Sequence, residues 1–226
     1  MPPNGSGCAA MSNRVLAEKL VATLPTGLPG LFNPWRDHCP DDTALSSPDA
    51  KLERLARHLD CDPVCIGVGE AAGYMGMRHS AVAFTSERLL MDGSIPRMPS
   101  PTGRLTLRNR PFSEPSATIV WRTLYSLGIA DRTILWNAVA LHPHRPDNHN
   151  SNRTPTPDEI ALGVPALRLL AEAFPRAKII AIGRKSEGLL EAMGIRCAGA
   201  VRHPANGGAT EFAAGMRSVV MIGVGR

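Results

Sequence analysis

Residues 66 to 87 read IGVGEAAGYMGMRHSAVAFTSE, and this stretch decides the fold. A short apolar run, Val64 to Val68, breaks at Gly69, and Glu70, Ala71, Ala72 and Gly73 follow. A run of this kind ending in small residues predicts a buried strand leading into a tight loop. In open α/β sheets, ligands bind just beyond the carboxyl ends of such strands. Glycines at 69, 73 and 76 let the backbone approach a ligand closely, because no Cβ stands in the way. Glu70 is then a carboxylate at the mouth of a cleft, and Phe84 a flat apolar face a few residues on. The same residues also suit an ordinary strand-to-helix turn with a solvated Glu70.

The flanking chain supplies the context. Residues 12–24 carry apolar positions at helical spacing, with Ser12 as N-cap. Pro25 to Pro48 is punctuated by proline and has no period, but Leu31, Phe32 and Trp35 predict that it packs on the body. A second helix starts at Pro48 and Asp49, and the strand at 63–68 follows. Residues 92–112 read as an exposed insertion carrying Arg97, Arg104, Arg108 and Arg110. A third helix spans 114–127, with Pro115 near its start and Gly128 past its end. A strand from Thr133 to Trp136 ends at Asn137, and 142–157 form a polar loop. Then come a helix from Pro157 to Ala173 capped by Thr156, a strand from Ala177 to Ile182, and a short helix from Lys185 to Met193. A strand from Ile195 to Val201 ends at Arg202, His203 and Pro204, and a helix begins at Ala209. Alternation of this kind predicts a three-layer α/β/α fold with a central, mostly parallel four-stranded sheet. The expected organisation is a flexible lead-in at 1–11 and one domain at 12–226, with Met11 an alternative start.

Composition narrows the function class. At 226 residues, 43% hydrophobic and 20% charged, the chain fits a globular protein with a sizeable core. Its apolar runs are too short to cross a bilayer, and the N-terminus lacks the pattern of a secretory signal. Five scattered cysteines (8, 39, 61, 65 and 197) predict reduced structural thiols and a cytoplasmic location. A net charge of +5 favours a polyanionic partner, whereas 4% aromatic content argues against a broad base-stacking surface. His142, His144 and His149 include a chelate-like HxH spacing, but nearby residues complete no obvious set. A DNA-facing or structural polar loop is the expectation there.

Parallel strands bring Glu70, Asn137 and His203 to one sheet edge, so an acid, an amide and an imidazole converge on one crevice. An Asn side chain can pair with a group presenting both an acceptor and a donor, such as the O4 and N3–H of a pyrimidine. A neutral His can donate to an oxygen on which negative charge develops. Three motifs, Gly69-Glu70-Ala71-Ala72-Gly73 with Phe84, Leu135-Trp136-Asn137-Ala138, and Arg202-His203-Pro204-Ala205, resemble those of the uracil-DNA glycosylase superfamily. The match covers about residues 64 to 215, in the right order.

The resemblance implies a base-flipping enzyme that hydrolyses the N-glycosidic bond of uracil in DNA as a monomer, without metal or cofactor. It implies that Phe84 stacks on the flipped base, Asn137 pairs with its Watson–Crick edge, and His203 donates to uracil O2. Gly69, Glu70 and Ala71 hold the base, Glu70 also orienting water or stabilising a cationic sugar. Tyr74 either walls the pocket against the 5-methyl of thymine or lies on the surface. The loop Ala205, Asn206, Gly207 and Gly208 is expected to enter the minor groove, and Arg184, Lys185 and Arg202 to contact phosphates. Two positions depart from the family pattern. Ala71 stands where many relatives carry Asp or Asn, and Ala72 stands in place of proline. Cys8 and Cys39 do not supply the close pair of the iron–sulfur branches. The rival readings are a hydrolase for another deaminated base and a catalytically weak DNA-binding protein.

Overall fold

The computed structural model describes residues 12–221, so the expected lead-in at 1–11, with Cys8 and Met11, lies outside the described residues. In chain order the elements are α1 (Asn13–Ala22), β1 (Leu31–Phe32), α2 (Pro48–His58), β2 (Cys65–Ala71), α3 (Met77–Ser80), α4 (Glu87–Met91) and α5 (Pro115–Ser126). There follow β3 (Thr133–Val139), β4 (His142–Pro143), α6 (Pro157–Ala173), β5 (Lys178–Ile182), α7 (Arg184–Ala192), β6 (Gly199–Val201) and α8 (Ala209–Met221). Four strands form a parallel sheet in the order β3-β2-β5-β6, as the alternation predicts. Helices α1, α6 and α7 lie on one face, and α5 and α8 on the other. The chain leaves β2 in one direction to form β3 and leaves β5 in the other to form β6. The crevice above β2 and β5 is therefore the topological switch point, where such sheets bind ligands.

Local sequence explains how closely the layers approach. Strand β3 (TILWNAV) is buried along its whole length, as a strand covered on both faces should be. Trp136 stacks on Trp35 with ring centroids 5.7 Å apart, which anchors the proline-rich segment to the sheet. Gly163 of α6 lies against Ala138; a Cβ there would stand 2.0 Å from the Ala138 carbonyl oxygen. At the open edge of β3, the Leu135 N–H donates to Nε2 of the buried His58 at 2.8 Å. Helix α6 carries a full capping box, in which Thr156 and Glu159 satisfy each other's backbone N–H groups. Among the described residues, no helix is long and apolar enough to cross a membrane.

Several sequence expectations need correction. The strand expected at 63–68 extends to Ala71, because Gly69 pairs with Asn137 and Ala71 with Val139. Strand β3 likewise continues through Asn137 to Val139, and the last strand is only Gly199–Val201. The segment 92–112 is exposed only in part: residues 107–110, with Arg108 and Arg110, face solvent, whereas Ile95, Met98, Leu105 and Phe112 are buried. Arg97, at φ +67°, donates to the carbonyls of His58, Asp131 and Thr133. Arg104 donates to the buried carboxylate of Glu87 at 2.7 Å, and Arg108 stacks on Phe112. The polar loop at 142–157 begins as strand β4, which pairs antiparallel with β1 of the proline-rich segment.

Candidate active site

The carboxyl ends of β2, β3 and β5 and the loop after β6 enclose a cleft of about 880 Å³. Its floor is built on Gly69. A Cβ at that position would stand 2.4 Å from Asn137 Oδ1 and 2.8 Å from Phe84 Cζ, so the amide and the ring both lie over the bare backbone. Gly69 thus makes room for two side chains of the protein. Asn137 is 4% exposed, and its Nδ2 donates to the thioether of Met77 at 3.0 Å. Phe84 adopts a left-handed backbone at φ +50°, a conformation an ordinary side chain takes only under constraint. The constraint is visible: the Trp121 indole donates to the Phe84 carbonyl at 2.9 Å and to Thr85 Oγ1 at 3.2 Å.

His203 follows β6 by two residues, and its ring centroid lies 6.2 Å from that of Phe84. The Ala205 N–H donates to His203 Nδ1 at 3.2 Å. A neutral ring that accepts on Nδ1 carries its proton on Nε2, so His203 is a hydrogen-bond donor at that nitrogen. Burial pushes the imidazole below its ordinary value; Glu70 acts in the opposite direction and Arg202 adds to the lowering. Gly183, at φ +96°, lies under His203 and leads into α7. The first residues of that helix, Arg184, Lys185 and Ser186, reach the cleft, where a helix N-terminus favours an anion.

Glu70 also lines the cleft but leaves β2 on the face opposite Gly69 and Ala71, as alternation along a strand requires. Its Oε1 accepts from Lys185 Nζ at 3.1 Å, and the same ammonium donates to Thr154 Oγ1 at 3.2 Å. Lys185, expected on phosphate, is here the partner of Glu70.

Most of the residues singled out in the sequence converge on this cleft. Glu70, Ala71, Phe84, Asn137, Arg184, Lys185, His203, Ala205, Asn206 and Gly207 line it. Four do not line it. Gly69 lies beneath Asn137 and Phe84. Tyr74 stands edge-on to Phe112 at 6.2 Å, and Arg202 pairs with Glu211 at 3.3 Å. Gly208 is buried, since a Cβ there would lie 2.2 Å from the His203 carbonyl oxygen. Met75, Met77, Glu114, Ser116, Asn152 and Arg153 line the cleft without having been singled out. Their signal is absent from the local sequence: Glu114 stands where an N-cap is expected but makes no capping bond.

Within the histidine loop, His142 is buried and fully bonded. Arg78 Nη1 donates to His142 Nδ1 at 2.9 Å, and His142 Nε2 donates to the Ser151 carbonyl at 2.8 Å. His149 meets Asp41 at 3.0 Å. Elsewhere, ligand-type atoms of Cys39, Asp42 and His79 lie within 4.8 Å of one another. The Lys51 ammonium on Asp42 and the Arg78 guanidinium on Cys39 hold the cationic positions there. This donor set therefore does not suit a metal ion.

The model of the uracil DNA glycosylase superfamily matches residues 85–219, more than half of the chain. Asn137 and His203 fall within the match; Gly69, Glu70 and Phe84 lie just before it. No curated protein matches the chain. A solved structure, that of wild-type SMUG2 from Pedobacter heparinus, aligns with a TM-score of 0.58 at 13% identity, covering 90% of this chain and 97% of that one. The likeness bears on the fold.

Proposed function

The chain belongs to the uracil DNA glycosylase superfamily of DNA repair enzymes, and from that premise we propose that it excises uracil from DNA and leaves an abasic site. The observation that carries the reading is the fixed tautomer of His203, a donor at Nε2 in the same cleft as Phe84 and Asn137. The target nucleotide leaves the stack and its base lies against Phe84. Asn137 hydrogen-bonds its Watson–Crick edge. The bond from N1 to C1′ then breaks with its electron pair going to the base, and His203 donates to uracil O2 as negative charge accumulates there. A neutral donor can stabilise that anion without surrendering its proton. The cationic sugar forms near Glu70, and water adds to C1′ with loss of a proton to solvent. Ala205, Asn206 and Gly207 rim the cleft; in this reading they enter the minor groove, while Arg184 and the start of α7 meet the backbone phosphates. In this reading the protein is a cytoplasmic monomer working without a cofactor.

A second reading, activity on other deaminated bases, is favoured by Met75 and Met77 in the cleft wall, since methionine adapts its shape to the ligand. The test is an oligonucleotide assay with one uracil, hypoxanthine or xanthine, treated with alkali after incubation. Alkali-dependent cleavage at uracil is expected. His203→Ala should lower kcat about 10²- to 10³-fold with little change in affinity for abasic DNA, since the lost bond forms mainly in the transition state. Binding of DNA without cleavage by the wild type would replace the enzyme reading with that of a binding protein.

A further inference from the structure

The mechanism above leaves the carboxyl of Glu114, which lines the cleft, unused. Glu114 precedes α5, and its carboxyl turns away from the capping position into the cleft wall. The Ser116 hydroxyl donates to Oε1 at 2.8 Å. The other oxygen, Oε2, packs over Gly76, where a Cβ would stand 2.0 Å from it. The next residue, Met77, touches Asn137, and the carbonyl of Thr85, next to Phe84, also borders Gly76. Glu114 therefore sits beside the base platform. His203 and Glu70 influence each other electrostatically and mark the end of the cleft where the sugar lies. Glu114 is tied through Gly76 to Met77, which contacts Asn137, the residue proposed to read the Watson–Crick edge.

We propose that Glu114 is a specificity-determining residue that donates a hydrogen bond from its carboxyl to the exocyclic carbonyl at the far edge of the flipped base. That carbonyl is the chemical mark of deamination, because the parent base carries an amino group there. A donor at this point accepts the deaminated base and opposes the parent amine. With Oε1 accepting from Ser116, the proton belongs on Oε2. Burial favours this neutral form and raises the Glu114 carboxyl above the usual range, while the Ser116 hydroxyl acts in the opposite direction. The other charged groups of the cleft come from four elements: Glu70 on β2, Arg153 before α6, Arg184 and Lys185 on α7, and His203 after β6. Glu70 pairs with Lys185 and Arg153 with Glu159, so three of these charges are balanced locally.

The proposal rests on the glycosylase reading, and its test separates the two. Single-turnover excision of uracil is measured across pH for wild type, Glu114→Gln and Glu114→Ala. Wild type should lose activity on the alkaline side as Glu114 ionises, whereas Glu114→Gln, which keeps an N–H donor at every pH, should hold its rate. Glu114→Ala should lose about 10- to 100-fold at all pH, the scale of one buried hydrogen bond to a substrate carbonyl. A readout independent of activity is the ¹³C-carboxyl titration of Glu114 in the free protein, whose midpoint should lie above that of an ordinary glutamate. Superposed pH profiles for wild type and Glu114→Gln, or a midpoint in the ordinary range, would overturn the assignment while leaving the glycosylase reading in place. A wild type that leaves uracil-containing DNA intact would overturn both.

Discussion

Replacing Gly69 with alanine tests whether the floor of the cleft is shaped for the residues that hold the base. The added methyl would stand 2.4 Å from Asn137 Oδ1 and 2.8 Å from Phe84 Cζ. Ordinary contact begins near 3.4 Å. The amide must then retreat by about 1.0 Å and the ring by about 0.6 Å, shifts large enough for overpacking to cost about 1–3 kcal/mol. Neither group has an easy escape. Asn137 is held by Met77, and the backbone of Phe84 by the Trp121 indole. Alanine also removes unfolded-state freedom, which returns about 0.4–1 kcal/mol, so the net loss of stability should stay below about 2.5 kcal/mol. The effect on rate should be larger, because a misplacement of about 1 Å in a site costs on the order of 10²-fold.

Gly67→Ala is the matched control. It lies two residues earlier on the same strand face, and its Cβ would meet only side-chain tips, Leu135 Cδ2 at 2.9 Å and Ile182 Cδ1 at 3.0 Å. It should cost a comparable amount of stability with excision within a few-fold of wild type. The assay pairs thermal melting with single-turnover cleavage of a uracil oligonucleotide. Equal rate losses in the two variants, or a Gly69→Ala enzyme within threefold of wild type, would refute the geometric argument.

Two further predictions concern groups outside the chemistry. The buried Glu87 carboxylate accepts from Arg104, from Thr106 Oγ1 and from the N–H groups of Leu105, Thr106 and Phe112. Glu87→Gln turns an amide donor toward backbone donors and should cost about 3 kcal/mol in urea unfolding with an unchanged m-value; a loss below about 1 kcal/mol would reduce it to the worth of a surface pair. Burial, aided by Arg78, pushes His142 down to about 3, from an ordinary value of 6.5. The folded state then binds fewer protons than the unfolded state between those two values, so this contribution is complete above 6.5 and is lost as pH falls toward 3. His142→Asn should flatten the stability profile in that window by up to about 1.4 kcal/mol per pH unit. An unchanged slope would show that His142 protonates freely in the native state.

The sequence displays the β-strands and the small residues that end them because burial on both faces writes an uninterrupted apolar run. It also displays Asn137 and His203, polar residues standing just where such runs stop. Its account fails where distant segments meet. Pairing of Gly69 with Asn137 and of Ala71 with Val139 carries β2 three residues further than its apolar run and turns Glu70 to the other face, a result of strand alternation that local composition does not encode. Arg97 reads as a solvated charge in a proline-rich stretch, yet three carbonyls from two other segments converge on it. Glu114 carries a helix-start signature, and only the close approach of Gly76 shows that its carboxyl has left the helix for the cleft.

That difference bears on the departure at Ala71. Its methyl offers no polar atom, so the carboxyl chemistry of the cleft rests on Glu70 and Glu114. Their surroundings are unlike. Glu70 is the anion of an ion pair with an exposed lysine, close enough to the His203 imidazole to act on it electrostatically. Glu114 is half-buried against a hydroxyl and a glycine, with its neutral form favoured. Two carboxyls placed in contrasting environments within one site take contrasting roles. An anion suits a developing oxocarbenium, and a neutral acid suits a carbonyl that needs a donor. On the proposed mechanism Lys185 would join the pair to the substrate: a DNA phosphate that draws its ammonium away would leave the charge of Glu70 less compensated as the sugar cation forms. On that proposal the site needs no carboxylate at position 71, because a charge at 70 and a proton at 114 would supply separately what the cleavage of a base from its sugar demands.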